Sequence, residues 1–153
     1  MKIISQKGLS GIVQHFIELI LLGGILVVLG LPFILKWYIG LLSGRTSEVY
    51  AFLLPFLYVT GIFAIICVNE LRKVFKTINR MDPFRMDNVK SFRTMSVCCF
   101  VIAAAYVVKI FTFNSFLTIV LFMAFVIAGF MLLILSEVFR QAVIVKEEND
   151  LTI

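Results

Sequence analysis

Glu18 sits in the run "HFIELILLGG", where most neighbours are apolar. An ionisable side chain in such a run is costly and marks a functional-site candidate by default. Glu70 and Glu137 follow later apolar runs at a matching level, and Arg72, Arg93 and Arg140 supply counter-charges there. Carboxylates so placed can bind protons or cations, or they can pair with arginine and fix helix register. Depth separates the two. Near an interface the cost falls below the roughly 2.5–3.5 kcal/mol of a charge at the bilayer centre, because the side chain can snorkel. The expected arrangement is an ion-pair ring near one interface, built from Glu18, Glu70, Glu137 and Arg140 with their neighbours. Proton or cation handling by Glu18 is the alternative.

Other residue types that carry chemistry are sparse. His15 is the only histidine and stands at the start of the first apolar run, where a structural role is expected. Cys67, Cys98 and Cys99 lack the spacing of redox or zinc sites and read as small buried hydrophobes. Lys36 and Lys109 read as snorkelling side chains. No HExxH, GxSxG, GxGxxG or Walker pattern occurs. No enzymatic activity, cofactor or metal is expected.

The elements that must hold these residues follow from composition. The chain has 153 residues, 61% hydrophobic and only 15% charged. Soluble domains carry about 25% charged residues, and a soluble protein of this size could not hide so much apolar surface. Lipid is therefore the expected solvent. Four runs are long enough to cross a hydrocarbon core that needs about 20 helical residues, at 16–39, 49–68, 95–113 and 115–135. None alternates in polarity as a barrel strand does. Lys2 and Lys7 precede the first run as in a signal peptide, but the run exceeds the roughly 7–15 residues of such a segment, and it reads as a retained span. The fold class expected is all-α, one integral membrane domain forming a four-helix bundle. Small residues (Ala124, Ala128 and Gly129, and Ala103 to Ala105) are expected to pack its helices, and Pro32 and Pro55 to kink two of them.

Charge sets the orientation. Lys and Arg concentrate on the cytoplasmic side of spans, and the segment between the second and third carries Arg72, Lys73, Lys76, Arg80, Arg85, Lys90 and Arg93. Both termini and that segment are therefore expected in the cytoplasm, and the net charge of +5 reflects topology and not nucleic-acid binding. Leu71, Val74, Phe75 and Ile78 recur at helical spacing, as do Val89, Phe92 and Met95. Between them "MDPF" interrupts the helix, because Pro83 restricts Asp82, and Asp87 is the expected N-cap of a new helix. Residues 69–94 thus read as a cytoplasmic amphipathic hairpin with a proline corner, and 136–153 as a short acidic tail. Tail and hairpin carry opposite charge on one membrane face. Leu151 and Ile153 are expected to enter an apolar slot beside Phe84 and Phe92, so that hairpin and tail make one docking surface. A basic loop lying on anionic lipid is the plainer alternative.

The stretches "DPFRMDNVKSFRTMS" and "VFRQAVIVKEENDLTI" resemble the bacterial membrane family known as domain of unknown function 2975. The positions that carry the resemblance are Pro83, Phe84, Asn88, Val89 and Arg93, then Glu148, Asn149, Asp150, Leu151 and Thr152. Ser96 departs from the family, which often has Gly there. Coverage is nearly the whole chain. Family members are often encoded beside a small helix-turn-helix regulator, which implies a membrane component of a regulatory pair and no catalytic residues. With Phe92, these positions form the expected partner-docking set. The expected partners are the lipid bilayer and such a regulator, without direct contact to nucleic acid, with a second copy of the chain as an open alternative. A first-helix Glu in a four-span protein also resembles, at fold level only, the small multidrug transporters. A small transporter or antimicrobial-immunity protein using Glu18 or a bundle cavity is therefore the alternative function.

Overall fold

The computed structural model describes residues 9–41, 46–80, 82–113 and 115–151, with the side chains of 9, 10, 46 and 47 left aside. Four helices account for almost all of them: α1 (Leu9–Leu41), α2 (Thr46–Asn79), α3 (Met86–Thr112) and α4 (Phe116–Asp150). Each is long and apolar enough to cross a membrane. Large apolar side chains such as Leu29, Phe33, Phe116 and Met131 stand exposed along α1 and α4. Soluble proteins rarely expose such continuous apolar surface. The chain is all-α, with the architecture of a multi-pass membrane protein.

The helices outrun the apolar runs at one end, and this corrects two expectations. No separate hairpin forms over 69–94 among the described residues. α2 continues unbroken to Asn79, the chain turns within 80–85, and α3 starts at Met86 and carries straight on into the third span. The reason lies in the apolar spacing. Leu71, Val74 and Ile78 on α2 and Phe92 and Met95 on α3 cluster with Cys67, Leu132 and Phe139, so the core runs on past the lipid-facing part. Only Pro83 and its neighbours need to leave the helix. Asp87 is not the N-cap. That position is Arg85, with extended backbone and no side-chain cap bond. Asp87 lies in the first turn of α3, where a carboxylate still favours the helix dipole. The tail is likewise not a separate segment, since α4 is helical to Asp150. Ser136, Phe139 and Val143 recur at helical spacing there. Ser136 and Val143 are buried, Phe139 belongs to the core cluster, and the face is thus worth continuing.

The arrangement is sequential. α1 packs on α2, α2 on α3 and α3 on α4, and among the described residues α1 makes no close backbone approach to α4. The expected bundle is thus built by sequential pairings. Lipid tails are as apolar as leucine, so no hydrophobic drive forces further contact between α1 and α4. α3 is the most enclosed helix, buried along one stretch from Asn88 to Ala103.

Small residues set the α3–α4 approach, though not the pair expected. Ala124 is exposed. The close contact is Gly129, where an added Cβ would lie 2.9 Å from the Phe100 ring. Beside it, fully buried Ser96 donates to the Gly129 carbonyl at 2.8 Å. The small serine thus permits close approach and adds a bond between helices.

Candidate functional site

The corner between α2 and α3 is locked from inside. Asn88, 1% exposed, donates its amide N–H groups to the Thr77 hydroxyl at 2.7 Å and to the Pro83 carbonyl at 2.6 Å. The Thr77 hydroxyl has one proton, and it goes to the Val74 carbonyl at 2.7 Å. A buried amide without such partners would cost about 1–3 kcal/mol, so this network fixes the corner's shape. Below it, Ser91 donates to Glu70 at 2.7 Å, and Glu70 pairs with Lys73. On the other flank Ser136 donates to the Val89 carbonyl at 3.1 Å.

The end of α4 closes on this corner. Phe139 packs against Phe84 and Phe92, with ring centroids 5.7 and 4.9 Å apart. The Lys146 ammonium donates to Asp82 at 2.8 Å. That bond, reinforced by the charge of Lys146 and of Arg85, holds the Asp82 carboxyl below its usual range. A groove of about 310 Å³ runs between corner and α4, lined by Phe84, Arg85, Met86, Asp87, Val143, Lys146, Glu147 and Asp150. Its floor is apolar and its walls are charged. A second groove of about 580 Å³ lies between α2 and α3.

The expected docking residues divide by depth. Asn88, Val89 and Phe92 are buried and cannot touch a partner directly; they shape the surface from beneath. Pro83 is half-buried, whereas Phe84, Arg93, Glu148, Asn149 and Asp150 are exposed. The slot foreseen for Leu151 is filled by Phe139, and Leu151 itself is 87% exposed. Thr152 and Ile153 lie outside the described residues. Attraction between tail and hairpin takes the reverse sign at its closest point, with a tail lysine on a corner aspartate.

The expected ring of charges resolves into separate pairs. Glu18 accepts from both Nε and Nη2 of Arg72, at 3.1 and 3.0 Å, joining α1 to α2. Nearby, Asn79 donates to Gln14 at 2.8 Å. Glu137 pairs with Arg140 one turn along α4, and Glu70 with Lys73 within α2. His15 donates to the Gly11 carbonyl within its own helix. The cysteines are free, with Cys98 and Cys99 buried. At the far end, Lys109 lays its Nζ 5.2 Å from the Phe56 ring centroid and 5.8 Å from that of Tyr106. Phe139 was missed in the sequence because it falls beyond the fourth apolar run; its spacing from Ser136 and Val143 was the available signal.

No curated protein and no solved structure matches the chain. One family does, over residues 42–153, which leaves α1 outside and is narrower than the near-complete coverage expected. With α2, α3, α4 and the corner inside the matched stretch, the chain belongs to the family described as Protein of unknown function (DUF2975).

Proposed function

We propose that this chain is the membrane component of a bacterial signalling or gene-regulatory pair. It presents a cytoplasmic docking surface to a small helix-turn-helix regulator. Both termini and the 80–85 corner face the cytoplasm, consistent with the Lys/Arg bias. The observation that carries this reading is the groove between the corner and α4, where half-exposed Phe84 and Met86 are framed by Arg85, Asp87, Glu147 and Asp150. Apolar anchors inside a charged rim are what a protein partner uses. The Asn88 network holds that groove in one shape, so little ordering cost remains for binding.

Transport through the helices has less support. A cavity to which all four contribute, of about 240 Å³, is lined by apolar side chains such as Val28, Leu31, Leu57 and Phe125, with Thr60 and Tyr106 as its polar members. That lining contains no charged group. Glu18 is occupied by Arg72.

The test is co-expression with a helix-turn-helix regulator encoded beside the gene. Wild type is expected to bring the regulator to the membrane fraction. Phe84→Glu, and separately deletion of residues 147–153, are expected to release it while leaving insertion unchanged. Retention by both variants, with unaltered regulatory output, refutes docking at this groove. Orientation is checked separately with Met86→Cys and Gly44→Cys. Labelling of position 86, but not 44, by an impermeant reagent outside intact cells would reverse the topology.

A further inference from the structure

The second groove, between α2 and α3, is lined by two facing stripes at helical spacing. From α2 come Glu70, Lys73, Lys76 and Thr77, and from α3 Asp87, Lys90, Ser91 and Thr94, with Arg80 and Arg85 at the corner. Five of these residues are cations and two are carboxylates. Lys73 is committed to Glu70, and Arg85 to Asp82 and Asp87. Among the described residues, Lys76, Arg80 and Lys90 have no carboxylate within ion-pair distance. Three exposed cations without a carboxylate at ion-pair distance thus line one concavity whose two carboxylates are already paired, and an anion there would lower their mutual repulsion.

We propose that this groove binds a phosphate-bearing anion, held by Lys76, Arg80 and Lys90. Lys76 stands in the last turn of α2 and Arg80 just beyond the helix end, and Lys90 lines the groove from α3. A phosphate group offers several oxygens to such a set, and Arg supplies a paired donor geometry suited to it. The volume of about 580 Å³ admits a group larger than a single ion. Glu70 follows the second apolar run closely and Thr94 immediately precedes the third, so that end of the groove lies nearest the lipid. Lys76 and Arg80 stand farther out, about 12 and 18 Å along the chain direction from the end of the run at about 1.5 Å per residue. The phosphate therefore comes from a soluble phosphate compound or from an anionic lipid headgroup drawn up to that level. This site does not depend on the docking reading. The two grooves flank the start of α3 and share only Arg85 and Asp87.

The experiment uses the full chain in detergent and two probes, phosphatidylglycerol read by native mass spectrometry and inorganic pyrophosphate read by calorimetry. Wild type is expected to retain phosphatidylglycerol over phosphatidylcholine. Lys76→Gln/Arg80→Gln is expected to weaken that preference at least tenfold, as is Lys90→Gln to a smaller degree. The charge-matched control Lys7→Gln/Lys36→Gln is expected to keep it. Thermal melts confirm that each variant is folded. Pyrophosphate that binds and displaces the lipid assigns the groove to a soluble phosphate compound, whereas lipid binding alone assigns it to the headgroup. Absence of both, retention by the double variant, or equal loss in the control overturns the proposal.

Discussion

The two ends of the α2–α4 unit are held by different chemistry. At the corner end polar links are added to the Phe84–Phe139–Phe92 packing: Asn88 to Thr77 and Pro83, Ser91 to Glu70, and Ser136 to the Val89 carbonyl. At the far end aromatic contacts dominate. Phe113, Phe52, Phe56, Tyr106 and Phe125 form a ladder across α2, α3 and α4, with centroid spacings from 5.2 to 6.2 Å, capped by Lys109. A hydrogen bond is satisfied in one register only, whereas stacked rings tolerate sliding and tilting. The corner end is thus specified and the far end is filled. A surface that must present one shape belongs at the specified end.

The largest expected effect follows at Asn88. Asn88→Ala leaves the Pro83 carbonyl and the Thr77 hydroxyl short of a partner in a buried site, a loss of about 1–3 kcal/mol. Unfolding in mixed micelles is expected to show it, with faster proteolysis at 80–85. Next comes Gly129→Val, which pushes a branched side chain into the Phe100 ring. Overpacking of that kind costs about 1–3 kcal/mol, offset in part by the better helix propensity of valine over glycine. Ser96→Ala beside it is expected to cost only about 0.6 kcal/mol, the usual worth of a bond between membrane helices. At the far end Phe56→Leu removes the ring pairs with Phe52 and Tyr106. Leucine fills most of the space and the neighbouring rings can shift to recover contact, so a smaller loss than at Asn88 is expected. If Phe56→Leu destabilises as much as Asn88→Ala, the contrast between the ends fails.

Much of this was legible in the sequence, and the exceptions share a cause. Four helical spans, the core faces of Leu71, Val74, Ile78, Phe92 and Met95, and the break at Pro83 all follow from local rules of spacing and backbone geometry. Helix ends did not, because hydropathy marks where lipid ends and not where the helix does. α4 runs to Asp150 because Phe139 and Val143 find a partner surface, and that surface is tertiary. The family motif around Pro83 and Asn88 was legible as sequence, but the depth of its residues was not. "NVKSF" does not reveal that Asn88 points inward and Lys90 outward until the corner is built. Charge pairing was the least legible. Glu18 chose Arg72 on the adjacent helix, while Glu137 chose Arg140 in its own, and both lay within reach of several cations.

The smallest effect expected concerns Asp82 and Lys146, an ion pair between corner and α4. Both side chains are more than a third exposed, so the pair is screened by solvent and salt. Its signature is pH dependence and not size. The Asp82 carboxyl titrates below its usual range because Lys146 donates to it. A group whose folded value is depressed stabilises above the unfolded value, about 3.9 for aspartate, and loses that contribution as pH falls through the folded value. Asp82→Asn is therefore expected to melt slightly earlier than wild type near neutral pH. The gap should narrow steadily on acidification and close once the native carboxyl is protonated. High salt at neutral pH should narrow it as well. Thermal midpoints of the two proteins, measured in one detergent across that range, check the sign. A gap that stays constant into acid means that the Lys146–Asp82 contact does not hold α4 to the corner. Phe139 would then be left as the anchor that brings the two together.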